Sequence, residues 1–231
     1  MWRKCLEERN RKLKSLNKPE FSCYHAVDCN HRRKEFKEWS VDEQVEFVKE
    51  LIYILGLYFL VIYSCSLDLR DLVDVFPEAR DKSKELAFAI LLRQMMPYLS
   101  DKILGDERWP NDELALIHEE CEYDGVLSNS FKSIKNDETL QHRNRFTTIK
   151  AMGWKDCVLL QAADLITYEG FKAHRELDGA PRRKSLEAIV GLDSVGGKGY
   201  KLLKLGLEQI RDGLSDETRR ALFRDARISN S

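Results

Sequence analysis

The run LYFLVIYSCSL, Leu57 to Leu67, limits the folds open to this chain more than any other stretch. It is rich in aromatic and β-branched residues, bounded by charged clusters, and apolar at odd and even positions alike, so it reads as a strand covered on both faces. A sheet with helices on its faces supplies that cover. The flanking patterns agree. Ser40 stands as an N-cap before VDEQVEFVKELIYILG, with Glu43 completing a capping box, which predicts a helix ending near Gly56. Downstream, KSKELAFAILLRQMMPYLSDKIL reads as a helix bent or divided at Pro97. ELALIHEE reads as a strand, GVLSNSFKSIKN as a short helix, RFTTIKAMG as a strand and KDCVLLQAADLITYEGFKAHREL as a long helix. That alternation over residues 57–177 predicts an α/β domain with crossover helices.

Either side of this core the pattern changes. Trp2, Cys5, Leu6, Leu13 and Leu16 recur at helical spacing, and Asn17-Lys18-Pro19 ends the helix they predict. FSCYHAVDC reads as extended. After Pro181 come a Gly-rich turn, SVGGKGY, and an amphipathic helix, KLLKLGLEQIRDGL. No repeat or linker divides the chain, so residues 1–231 read as one domain, with a core of about 21–177 and a C-terminal helical extension, 178–231.

Composition narrows the partners. Hydrophobic residues make up 43% of the chain, enough for a core, and 38 basic against 39 acidic residues leave a formal charge of −1. A field that weak gives no general attraction to nucleic acid or anionic lipid, so such contacts would have to be local. The opening residues carry no run of signal-peptide character, and LIYILGLYFLVIY, Leu51 to Tyr63, is too short to span a bilayer. A cytoplasmic chain with no membrane contact is the expectation. The 6 cysteines lack framework spacing and read as reduced thiols.

Three groups of residues are candidates for chemistry. On the long helix, Gln161, Asp164 and Tyr168 project from one face while apolar side chains occupy most of the rest. Asp164 in so apolar a setting needs a metal, a basic side chain or water at an unburied face, and a structural salt bridge or cap is as good a reading as a functional site. In HEECEYD, Glu119 and Glu120 end a predicted strand, where α/β proteins gather ligands; alternation sends them to opposite faces, and the start of a charged loop is the plainer reading. In CYHAVDCNH, the spacing of Cys23, His25, Cys29 and His31 suits a tetrahedral zinc site poorly, leaving His25 and Asp28 as polar residues at a strand end. Phosphate-loop, H-E-x-x-H and G-x-S-x-G signatures are absent, and GGKG at Gly196 to Gly199 reads as a turn.

Taken in order, YHAVD, LYFLVIYSCSL, LALIHEE and VLLQAADLITYE resemble the domain of unknown function 3800 family, from about Phe21 to beyond Glu176. Leu160, Gln161, Ala162, Ala163 and Asp164 are the most specific part of the likeness. The resemblance implies a ribonuclease H-like α/β fold, a mixed sheet with helices on its faces. It also exposes a departure, because the family's first strand, with an Asp-Glu-Ser motif, has no counterpart here, so the chain reads as N-terminally incomplete.

By resemblance, Asp164 would meet Glu119 or Glu120 around Mg²⁺ or Mn²⁺, a hard ion suited to oxygen ligands. Two such ions about 4 Å apart would activate water against a phosphodiester. Gln161 would orient a ligand, with His25 and Asp28 as supporting or proton-transfer groups. The implied activity is a metal-dependent nuclease or phosphoryl-transfer enzyme acting on nucleic acid, DNA or RNA. The alternative is a non-catalytic interaction module on a degenerate or truncated version of the fold. Arg9 to Lys14, His31 to Lys34 and Arg182 to Lys184 are basic clusters available to either. The sequence leaves the oligomeric state open.

Overall fold

The computed structural model describes residues 2–21, 23–58, 62–108, 110–176, 200–205 and 214–228. It is a mixed α/β chain that divides into two compact units, Met1–Ser64 with Gly153–Leu202 and Cys65–Met152 with Leu203–Ser231. Among the described residues no helix is long and apolar enough to cross a membrane.

In the first unit, α1 (Trp2–Ser15) ends as its sequence predicts. Asn17 adopts a φ of 57°, and Lys18 N donates to Leu13 O at 2.9 Å while Asn17 N donates to Lys14 O at 3.0 Å, the paired bonds of a Schellman stop. α2 (Ala26–Asn30) is a single short helix where an extended run was expected. α3 (Val41–Tyr58) starts at the expected capping box: Ser40 N donates to Glu43 Oε2 at 2.8 Å, and Glu43 N to Ser40 Oγ at 3.2 Å. α7 (Val158–Glu176) is the long helix that carries Gln161 and Asp164. The core gathers Phe21, Tyr24, Phe36, Trp39 and Phe47 with Leu165 and Ile166 of α7, the rings meeting largely edge to face, as at Phe36–Trp39 (5.1 Å) and Trp39–Phe47 (5.2 Å).

The expected strand over Leu57–Leu67 is shorter than its composition suggests. α3 runs through Gly56 to Tyr58, and β1 (Ile62–Leu67) holds the strand; the three residues between lie outside the description. Gly56 costs the helix only about 1 kcal/mol, and the buried stripe of Val48, Ile52 and Leu55 carries the helical period to its last turns.

In the second unit, α4 (Leu69–Val75) and α5 (Ser83–Leu99) follow β1, and α5 passes beyond Pro97 into a wider π-type turn, Ser100–Leu104. β2 (Leu114–Glu119), α6 (Asp124–Lys135) and β3 (Phe146–Met152) form a parallel crossover unit, with Ile117 opposite Lys150 and a register irregularity between Leu114 and Leu116. Its buried residues fall into two clusters, one around Leu72, Phe76, Leu86, Leu222 and Phe223, the other around Met96, Leu104, Phe131 and Phe146.

Two expectations need correction. β1 pairs with β4 (Tyr200–Leu205) and β2 with β3, so the described strands form two separate pairs rather than the one mixed sheet expected. Residues 200–205 are also a strand where KLLKLGLEQIRDGL predicts a helix; KLLKL is too short a run for periodicity to decide between the two. The remainder of that predicted helix from 206 to 213, the GGKG turn and the Arg182–Lys184 cluster lie outside the described residues. Among the described residues of the tail, Asp216–Asp225 form a helix, α8, capped by Ser215.

Candidate functional site

Four of the six residues singled out by sequence belong to the first unit. α7 presents Gln161 and Asp164 one turn apart, and each meets the backbone entering α2. Gln161 is buried and its Oε1 accepts from Tyr24 N at 2.9 Å and from Arg9 Nη1 at 3.2 Å. Asp164 Oδ2 accepts from Ala26 N at 2.7 Å. Ala26 is the first residue of α2, and its N-cap, His25, provides no side-chain acceptor, so Asp164 caps the helix from a distant part of the chain.

His25 lies against the same carboxylate, its Nδ1 3.7 Å from Asp164 Oδ2, with both side chains partly exposed. The imidazole edge also meets the Trp154 ring at 6.3 Å. Asp28 turns elsewhere: its Oδ2 receives Lys34 Nζ at 2.6 Å, and that bond raises the Lys34 pKa. Cys23 is buried, which pushes its thiol up to about 11 and leaves it protonated and unreactive at neutral pH.

Arg9 is the residue that sequence reading placed in the wrong company. It stands in the basic cluster Arg9 to Lys14, yet it is buried, with Nη2 donating to Phe21 O at 2.7 Å and the guanidinium 5.0 Å from the Phe21 ring centroid. Burial lowers its pKa. The other cations of that cluster are largely neutralised, Lys12 by Glu46 (2.7 Å) and Arg11 by Glu8 (2.7 Å). Beside Arg9 and Gln161 opens an apolar pocket lined by Leu51, Leu55, Ala162 and Leu165.

The remaining two residues belong to the second unit. Glu119 and Glu120 both have exposed side chains despite the strand alternation, and Glu120 N extends the strand pairing to Met152 O at 3.1 Å. On either side of them stands a donor set that the two glutamates obscured in the sequence. His118, Cys121 and Asp124 each bring one possible ligand atom within 4.8 Å of the other two, and they are the group of this kind found among the described residues. The spacing H-x2-C-x2-D across a strand end and a helix start was the signal available. Cys121 N donates to Asp124 Oδ1 at 3.0 Å, which folds the intervening loop onto the start of α6.

In comparisons with protein-family models, curated proteins and solved structures, nothing matches this chain.

Proposed function

We propose that this chain is a non-catalytic interaction module built on a degenerate ribonuclease H-like fold. The observation that carries the reading is the use of Asp164. In a metal-dependent nuclease its carboxylate would serve Mg²⁺ or Mn²⁺; here Oδ2 is held by Ala26 N at 2.7 Å as a helix cap. Its neighbours are spent in the same way, Gln161 on Arg9 and Tyr24, Asp28 on Lys34.

The partner class to test first is nucleic acid, contacted through phosphate. His31, Arg32 and Arg33 are exposed on the turn after α2, and cations on such a turn bind phosphates without reading bases. A second reading, a metal-dependent phosphodiesterase, is favoured by the His25–Asp164 pair at 3.7 Å, which leaves a partly exposed imidazole to take a proton from water.

One experiment separates them. The purified chain is incubated with single- and double-stranded DNA and RNA, with and without Mn²⁺, and both binding and cleavage are followed. Salt-dependent retention without cleavage, weakened in Arg32→Ala/Arg33→Ala, supports the module. Mn²⁺-dependent cleavage that disappears in Asp164→Asn and in His25→Ala overturns it in favour of the enzyme. Absence of binding overturns nucleic acid as the partner.

A further inference from the structure

We propose that His118, Cys121 and Asp124 form a binding site for a thiophilic divalent ion of the zinc class, with a fourth coordination position left for water or an exogenous donor. The site lies wholly within the second unit and owes nothing to Asp164, so it stands apart from the function proposed above.

The geometry is the first support. His118 Nδ1 lies 3.5 Å from Asp124 Oδ1, and Cys121 Sγ lies 3.6 Å from the same oxygen. Around a tetrahedral Zn²⁺ with bonds of about 2.0 Å to nitrogen and oxygen and about 2.3 Å to sulfur, those two edges would measure about 3.3 and 3.5 Å. Two edges of the coordination tetrahedron therefore stand within a few tenths of an ångström of their working lengths. For the third, sulfur to nitrogen, a ring nitrogen of His118 lies within 4.8 Å of the sulfur. Closing it to about 3.6 Å is within reach of side-chain rotation at an exposed thiol.

The chemistry of the donors is the second. Thiolate, imidazole and carboxylate together select zinc or another late first-row ion over Mg²⁺ and Mn²⁺, which take oxygen. The set is also held in place before any ion arrives. Asp124 Oδ1 accepts Cys121 N at 3.0 Å, and Glu120 N is tied to Met152 O at 3.1 Å. Coordination through His118 Nδ1 would replace that nitrogen's contact with Glu119 O at 3.0 Å, with the ring proton carried on Nε2, and would release the Cys121 thiol proton to solvent. Three protein ligands with one position open is the arrangement zinc adopts where it must also meet a substrate or partner group.

Cobalt titration of the full chain under reducing conditions tests the proposal. The expected result is one equivalent of Co²⁺ giving the visible bands of a tetrahedral ion together with a sulfur-to-cobalt charge-transfer band, all displaced by one equivalent of Zn²⁺. Cys121→Ser should abolish the charge-transfer band, His118→Gln and Asp124→Asn should each weaken binding at least about tenfold, and Asp164→Asn should leave the spectrum unchanged. Far-ultraviolet circular dichroism checks that each variant is folded, and any two folded ligand variants suffice. No tetrahedral spectrum at millimolar Co²⁺, or a charge-transfer band that survives Cys121→Ser and so belongs to another cysteine, overturns the assignment.

Discussion

The Asp164 carboxylate accepts the backbone N–H of Ala26 at 2.7 Å, closing the N-terminus of α2 from a residue 138 positions away in sequence. A cap needs an acceptor oxygen, whereas a metal ligand needs the negative charge, so substitution tells the two apart. Asp164→Ala should cost about 1–2 kcal/mol in urea unfolding. Asp164→Asn keeps an oxygen in place and should cost less than half as much. Equal losses for the two variants, or none for either, would remove the capping role.

Gln161 makes a sharper case because it is buried. Its Oε1 serves two donors at once, Tyr24 N at 2.9 Å and Arg9 Nη1 at 3.2 Å. Gln161→Leu strands both and should cost about 2–4 kcal/mol. Replacing the guanidinium as well, in Gln161→Leu/Arg9→Met, removes one of the stranded donors. The double variant should then be more stable than the sum of the single losses predicts, by at least about 1 kcal/mol. Additive losses would mean that Arg9 and Gln161 act independently.

Phe47 is fully buried and meets the rings of Phe21 at 5.8 Å and Trp39 at 5.2 Å. Phe47→Ala should destabilise by about 3–5 kcal/mol, and Phe47→Leu, which refills most of the volume, by less than half of that. Denaturation midpoints of the two variants check the ranking; similar values would mean that the ring contacts count for little.

What could be read from the sequence follows from the range of the forces involved. The stop at Asn17 and the capping box of Ser40 and Glu43 are made by residues within a few positions of one another, and both form as their sequences predict. The division of Leu57–Leu67 between α3 and β1 could not be read, because an apolar run satisfies both periods. Strand partners are longer-range still: the pairing of β1 with β4 joins segments well over a hundred residues apart. The candidate site divides along the same line. That Gln161 and Asp164 share a helix face was local information; that the face meets the backbone of Tyr24 and Ala26 was not. Arg9 looked like one of several surface cations because burial leaves no mark on a lone arginine within a charged run.

Acid should loosen the junction between α1 and α3. Lys18 Nζ lies 2.8 Å from Glu43 Oε1, and Lys12 Nζ lies 2.7 Å from Glu46 Oε1. The bond from Lys18, then that from the Ser40 backbone, holds the Glu43 pKa below 4.5, and the bond from Lys12 does the same for Glu46. A carboxylate whose folded pKa is depressed contributes stability that is present above its unfolded value and is lost as the pH falls through the folded one. The contribution of the two pairs should therefore be constant above the ordinary carboxylate range and disappear below it. Both glutamates are at the surface, so the effect should also shrink in high salt. Melting temperatures of the wild type and Glu43→Gln/Glu46→Gln, followed from neutral pH to about pH 3, should converge on acidification, with the wild type the more stable at neutral pH and low salt. Curves that run parallel across that range would show that the two pairs contribute nothing that depends on charge.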